Sequence, residues 1–450
     1  MQTDLLKNIF VHKLFFKKIP KEEISVGNDI KCLLLLLVVA VFFITEIIPL
    51  AVTATAGAIA CGVLGFIPVK QVFSGLSNST VVLFAGMFVV GAAMFYTGLA
   101  QKIGESVVKL SGTGENSLMF GIMLVGCALS AVLSNTGTAA CLLPVVLGIC
   151  AAAKVPASRE LMPLAFACGM GGIITLVGTP PNIIASGALG AAGLKPFGFF
   201  EFAWIGIPIC LVGILYMMFI GKHLLPKKEL DANQEIEQEI NADTNVSTSK
   251  QIVSGVILLV CVIVMALDVK WFNLEMAAIT GALVCVLTGC LTEKQAYASI
   301  DWVTIFLFAG MMPVSTAMDK TGAGKLIAGW AVSAMGGSPS PMVVTIVLFI
   351  ISCGLTQFMS NTASAALLCP IGIAIAKQLG ASPQAVLMAI AVAASCAFAT
   401  PVGTPPNTLV LGPGGYKFMD YVKAGTGLVI VSFIVSIIVI PMVWPFFPGK

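Results

Sequence analysis

Three motifs occur twice in this chain, in the same order and at almost the same separation. Thr80-Val-Val-Leu-Phe-Ala-Gly-Met87 returns as Thr304-Ile-Phe-Leu-Phe-Ala-Gly-Met311. Ser134-Asn135-Thr136 with Pro144 returns as Ser360-Asn361-Thr362 with Pro370, and Gly178-Thr-Pro-Pro-Asn182 returns as Gly403-Thr-Pro-Pro-Asn407. The separations are 224, 226 and 225 residues. The second half of the chain must therefore build what the first half builds, and the two copies must pack on each other.

Composition says in which solvent they do so. Of 450 residues, 58% are hydrophobic and only 10% charged, where a soluble domain carries about 25% charged residues. Too few polar side chains exist to cover a water-facing surface, which excludes an ordinary soluble enzyme, and disorder needs the opposite composition. A membrane β-barrel would make alternate residues polar, whereas this chain shows long unbroken apolar runs, the mark of membrane helices. The net charge of +3, with Arg159 the one arginine, gives no footprint for nucleic acid. The thirteen cysteines sit mostly inside the runs, with no CxxC pair, and read as small packing residues. Residues 1–30 are lysine-rich and too short to span, and are expected to lie on the membrane surface as an amphipathic segment.

The runs divide the chain into a first repeat over 31–222, a polar linker over 223–250 and a second repeat over 251–450. In each repeat one run is too long for a single crossing and carries Ser-Asn-Thr near its middle, at about 117–153 and 341–376. Two short helices meeting at a polar tip form a re-entrant hairpin there. A second run, at about 161–190 and 385–411, contains Gly-Thr-Pro-Pro and must be a broken helix. The expected fold is an all-α polytopic membrane protein of two repeats, each with about five spans and one re-entrant hairpin. An odd number of crossings inserts the second repeat upside down. Inverted repeats of this kind are a transporter architecture, with the site at the repeat interface near the midplane.

The motifs say what such a site could hold. Three adjacent hydrogen-bonding side chains inside an apolar run are costly unless satisfied, and irregular backbone at that depth is tolerated where it lines a cavity or is buried in protein. Ser134, Asn135, Thr136 and their twins Ser360, Asn361 and Thr362 offer hydroxyl and amide oxygens that suit a hard cation such as Na⁺. Their donors and helix N-termini suit a carboxylate. Helix packing through small polar residues is the plainer reading of one such motif, but two at symmetric positions favour a site. In Gly178-Thr179-Pro180-Pro181 and Gly403-Thr404-Pro405-Pro406, proline removes a backbone donor and glycine allows the turn, so a helix must stop and restart. No Lys or Arg falls in either motif pair. An anionic substrate would be balanced by helix ends and co-bound cations. Glu46 and Asp301, at the ends of runs, read as a helix-end and an interfacial carboxylate.

With these residues in view, the sequence resembles the divalent anion/sodium symporter (DASS) family, of the bacterial dicarboxylate transporter type. The resemblance rests on the paired Ser-Asn-Thr and Gly-Thr-Pro-Pro-Asn motifs, their order, and Phe43-Ile-Thr-Glu-Ile-Ile-Pro-Leu50, and it covers nearly the whole chain. It implies a homodimer in the bacterial inner membrane, with a dimerising scaffold and a transport domain that moves as an elevator. It further implies a first Na⁺ site at Ser130, Ser134, Asn135 and Gly178. A second would lie at Thr356, Asn361 and the backbone near Met359 and Gly403. Substrate carboxylates would contact Asn135, Thr136, Thr179, Ser360, Asn361, Thr362, Thr404 and Pro405. The implied activity is sodium-coupled uptake of C4 dicarboxylates such as succinate, malate and fumarate. Sodium-independent exchange of dicarboxylate, citrate or 2-oxoglutarate, and sulfate transport, are alternatives within the class.

An intramembrane enzyme would need a Ser–His dyad, an Asp pair or a His/Glu metal site. Neither His12 nor His223 lies in a run, and no HExxH or paired intramembrane Asp occurs. A channel would need charged rings or a carbonyl filter motif, and the sequence has neither.

Overall fold

The computed structural model describes residues 27–111, 114–227, 247–267, 271–337 and 339–448. Among them the chain is helical, with no strand. The expected N-terminal surface segment falls outside the described residues up to residue 26, as do residues 228–246 of the polar linker.

The first repeat runs α1 (Asn28–Thr45), α2 (Leu50–Val63), α3 (Ser79–Tyr96), α4 (Leu99–Ser111) and α5 (Glu115–Ser130). It continues through α6 (Asn135–Ala153), α7 (Leu161–Gly172), α8 (Pro180–Ala191) and α9 (Ala203–Leu224). The second runs α10 (Thr248–Leu267), α11 (Leu274–Leu287), the short α12 (Glu293–Ser299), α13 (Trp302–Thr321) and α14 (Ala323–Ala334). It ends with α15 (Pro341–Thr356), α16 (Asn361–Gln378), α17 (Pro383–Ser395), α18 (Pro405–Leu411) and α19 (Phe418–Val443). Apart from α12, every helix of one repeat has a twin in the other. Among the described residues, seven helices are long and apolar enough to cross a membrane: α1, α3, α6, α9, α10, α13 and α19. Of these α6 is an arm of a hairpin, since a short tip over 131–134 joins it to α5.

Helices α2 and α13 pack on each other, as do α3 and α11. These crossings are tight because glycine sits at both. A Cβ on Gly86 would stand 2.6 Å from the Ala278 backbone, and one on Gly310 would stand 2.6 Å from that of Ala54. Gly86 and Gly310 are separated by 224 residues, and so are Ala54 and Ala278. The contact is thus reciprocal, and a two-fold operation exchanges the repeats. In inverted repeats, the architecture expected from the motifs, that axis lies in the membrane plane. The second hairpin arm α16 packs on α8 of the first repeat, and α6 packs on α18 of the second. The hairpins and broken helices are interleaved across the repeats.

The apolar run 79–100 contains a break that hydrophobicity does not signal. Helix α3 ends at Tyr96, the chain turns at Gly98 with φ +72°, and α4 begins as an amphipathic helix carrying Gln101, Lys102 and Glu105. Gln101 donates to Glu105 at 3.1 Å, and Lys102 donates to Gln251 of α10 at 3.3 Å. Helix α14 is its twin.

The sole arginine braces the base of the first hairpin. Arg159, 5% exposed, pairs with Glu115 at 2.7 Å and donates to the carbonyls of Lys222 and Leu225. Its neighbour Glu160, in the turn before α7, is fully buried, and neither carboxyl oxygen has a partner among the described residues. Burial, reinforced by the Glu115 charge and opposed by Arg159, pushes its carboxyl up to about 8. A raised carboxyl pKa contributes stability that is present below the ordinary value of 4.5 and is lost as pH rises through about 8. The melting temperature of the purified protein is therefore expected to fall between those values, and Glu160→Gln to flatten that fall. An unchanged pH profile in the variant would refute the assignment.

Candidate functional site

The two Ser-Asn-Thr motifs form because serine is a good N-cap. Ser134 has extended backbone, φ −66° and ψ 141°, and its hydroxyl accepts from Gly137 N at 3.0 Å. Ser360, at φ −62° and ψ 144°, accepts from Ala363 N at 3.1 Å. The cap ends each hairpin tip and starts α6 and α16. It leaves Asn135 and Asn361 as first helical residues, with Thr136 and Thr362 following. Thr179 and Thr404 are extended, with φ −145° and −152°, and the Pro-Pro pairs open α8 and α18, where proline's missing donor is not needed. The N-termini of four helices thereby converge: α6, α8, α16 and α18.

They face one cavity of about 830 Å³. All eight residues named above for substrate line it: Asn135, Thr136, Thr179, Ser360, Asn361, Thr362, Thr404 and Pro405. The rest of the lining is largely aromatic and apolar, with Phe84, Phe88, Phe95 and Tyr96, and adds the polar residues Gln101, Ser299, Asp301 and Thr304. Sequence reasoning missed this wall, because its residues are ordinary members of apolar runs. Among the described residues Asp301 is the one charged lining residue, and its carboxylate is used to cap α13, accepting from Thr304 N and Oγ1. No lysine or arginine among the described residues lines the cavity. Positive potential there comes from helix ends. Glu46, the C-cap of α1 in left-handed conformation at φ +50°, lies beside this site, its Oε1 accepting from Ser360 N at 3.4 Å.

Behind each asparagine lies a cluster of oxygens. The inner end of the Asn135 side-chain amide stands 2.7 Å from Ser130 Oγ, 3.1 Å from Cys168 O and 3.2 Å from Gly178 O, and its hydrogen bonds are satisfied with the nitrogen there. In the other repeat, the inner end of the Asn361 amide stands 2.6 Å from Thr356 Oγ1, 3.1 Å from Ala394 O and 3.1 Å from Gly403 O. The hydroxyls reach back to the same carbonyls, Ser130 to Cys168 at 2.8 Å and Thr356 to Ala394 at 2.7 Å. Hydroxyl, amide and carbonyl oxygens near the C-terminal ends of broken half-helices are a donor set that fits Na⁺. Ser130, Asn135 and Gly178 therefore meet, as do Thr356, Asn361 and Gly403. Of the remaining residues implied for cations, Ser134 uses its hydroxyl as the cap, and Met359 is buried in the tip, with its N–H donating to Leu355 O. The carbonyls of Cys168 and Ala394 belong to the clusters, and no side-chain pattern marks them.

The glycines are required by space. A Cβ on Gly178 would lie 2.5 Å from Gly172 O and 3.0 Å from Ala131 O, and one on Gly403 would lie 2.7 Å from Thr356 O. The motif asparagines Asn182 and Asn407 act as clamps away from the cavity. Asn182 Nδ2 donates to Gly172 O at 3.2 Å and Thr175 O at 2.8 Å. Asn407 Nδ2 donates to Ala397 O at 2.8 Å and Thr400 O at 2.9 Å. Thr175 ties its loop to Ala131 O, and Thr400 ties the twin loop to Gln357 O. Gln357 has no polar counterpart, since Ala131 stands in its place. It bonds Cys396 O at 2.9 Å and Ala399 N at 3.0 Å, so the second cluster has the firmer frame. Of the thirteen cysteines, twelve are buried and Cys141 is half-buried on the cavity wall.

A family model for citrate transporters, CitMHS, matches residues 40–368 and 318–448. An uncharacterized transporter of Haemophilus influenzae is 31% identical, over 92% of this chain and 91% of its own length. The uncharacterized transporter YfbS of Escherichia coli is 26% identical over 93% of this chain and its full length. The sodium-dependent dicarboxylate transporter SdcS of Staphylococcus aureus is 27% identical over 91% of this chain and 85% of its own. Among solved structures, the YdaH transporter of Alcanivorax borkumensis superposes with a TM-score of 0.62 at 14% identity, covering 92% of this chain and 98% of that one. MtrF of Neisseria gonorrhoeae superposes with a TM-score of 0.61 at 15% identity, covering 86% and 84%. These two likenesses speak to the fold.

Proposed function

The chain belongs to the CitMHS citrate transporter family, and on that premise we propose that it carries C4 dicarboxylates inward with Na⁺. It is a multi-pass transporter of the bacterial inner membrane and not an enzyme. The observation that carries the finer reading is the pairing of a cavity without cationic side chains with an oxygen cluster on each side of it. A dianion entering that cavity meets four helix N-termini and neutral donors. Cations in the two clusters supply the charge that the protein withholds, so anion and cation favour each other's binding. Thr136, Thr179, Thr362 and Thr404 supply hydroxyls to the carboxylates, with Asn135 and Asn361 between anion and cation. The sodium-dependent dicarboxylate relative supports the same reading.

The packing supports a reading of the movement. Helices α2, α3, α11 and α13 form one interlocked block, and the hairpins with α7, α8, α17 and α18 form another, with the cavity between. In this reading the second block slides past the first as an elevator, and the first dimerises.

The test is uptake of radiolabelled succinate into proteoliposomes with and without an inward Na⁺ gradient. Uptake that depends on the gradient is expected. Uptake indifferent to Na⁺ and dependent on internal dicarboxylate would replace symport by exchange. No succinate uptake, with citrate or sulfate carried instead, would replace the substrate.

A further inference from the structure

We infer that Asp301 is a specificity residue, whose carboxylate turns tricarboxylates away from a cavity large enough to hold them. This rests on the dicarboxylate reading above. The cavity has a volume of about 830 Å³, within the range of about 300–1,000 Å³ that accommodates a drug-sized ligand. Shape alone therefore does not favour succinate over citrate. No lysine or arginine among the described residues lines the cavity, so an added negative charge finds no counter-charge on a side chain there.

The fold does not need an acid at this position. Asp301 is the N-cap of α13, and its carboxylate accepts from Thr304 N at 3.2 Å and from Thr304 Oγ1. Thr304 opens the second copy of the motif whose first copy opens at Thr80. In the first copy the cap is Asn78, whose side-chain oxygen accepts from Thr80 N at 2.8 Å. Asparagine and aspartate cap a helix about equally well, so one local task is done once without charge and once with it. The two caps differ in their surroundings. Asn78 does not line the cavity, whereas Asp301 lines it and is exposed. A carboxylate has lone pairs beyond those that the cap uses. The charge thus stands at the cap that a bound substrate can feel.

Coulomb energy is proportional to the product of the two charges, so Asp301 weighs against a trianion more than against a dianion. Two carboxylates can be held by the Ser-Asn-Thr and Gly-Thr-Pro-Pro residues. A third, on the same short skeleton, must turn toward the rest of the lining, which is largely aromatic and apolar and carries Asp301. It meets either apolar rings, where an unpaired charge is costly, or the carboxylate, which repels it. A hydroxyl on a C4 skeleton fares differently, because a carboxylate accepts from it. A site built this way takes succinate and malate and rejects citrate.

Asp301→Asn tests this, and it is expected to fold because Asn78 does the same capping in the first repeat. Uptake of radiolabelled succinate into proteoliposomes is measured at mildly alkaline pH, where every carboxyl of citrate and of tricarballylate is ionised. Each of these is added as unlabelled competitor to wild type and variant. Tricarballylate has citrate's three carboxylates without its hydroxyl, and so separates charge from hydrogen bonding. The half-inhibitory concentration of both, divided by the succinate KM, is expected to fall by about tenfold in the variant. The succinate KM itself is expected to fall by a smaller factor. Asp301→Ser, another good cap, carries the test if the asparagine variant does not fold. Unchanged ratios in a variant that takes up succinate overturn the role of Asp301 and leave the dicarboxylate reading standing. Wild-type uptake of citrate in place of succinate overturns both.

Discussion

Alanine at Asn135 or at Asn361 is expected to lower sodium-driven succinate uptake by at least about 100-fold. Each asparagine is placed between an oxygen cluster and the cavity, so under the proposed function truncation removes a cation ligand and an anion donor together. Contacts to charged groups contribute about 1.5–3 kcal/mol each, and about 1.4 kcal/mol is tenfold. The two losses together reach that size. Initial rates in proteoliposomes, normalised to reconstituted protein, measure it. Uptake within threefold of wild type in either variant would remove that asparagine from the site.

Gly178→Ala and Gly403→Ala are expected to raise the Na⁺ concentration for half-maximal uptake by roughly tenfold or more, because the added methyl meets backbone that cannot retreat. The clashing atoms are Gly172 O at 2.5 Å on one side and Thr356 O at 2.7 Å on the other. Relieving them shifts the loop whose own carbonyl, that of Gly178 or Gly403, is part of the cluster. Overpacking of this kind costs about 1–3 kcal/mol. Gly148→Ala is the matched control, since a Cβ there meets nothing within 4 Å. Uptake is titrated with Na⁺ at saturating succinate. An unshifted midpoint in both glycine variants would mean that these loops do not hold the cation.

Much of this arrangement is legible in the sequence, because each element is announced by a residue with few physical alternatives. Ser134 and Ser360 mark helix starts, the Pro-Pro pairs mark restarts, and the constant separation of the motifs gives the repeat. The repeat in turn places Gly86 against Ala278 and Gly310 against Ala54. What was not legible depends on atoms common to all residues or on contacts distant in sequence. The carbonyls of Cys168 and Ala394 carry no side-chain signature. Asp301, read as interfacial, lines the cavity because α13 crosses α2 of the other repeat and brings its N-terminus inward. The break at Thr97-Gly98 falls within an apolar run, so hydrophobicity alone joins α3 to the start of α4. Gln357, the residue that ends α15, looks like a polar intruder until its bonds to Cys396 O and Ala399 N are seen.

The burial of the thiols has a practical consequence for labelling chemistry. Twelve cysteines are packed away and one, Cys141, stands part-exposed on the cavity wall. A maleimide that enters the cavity meets a single thiol among the described residues, so the wild-type chain already carries a site-specific reporter. Its alkylation rate reads which side of the membrane the cavity opens to, and protection by bound anion reads occupancy, with no cysteine-free background to build.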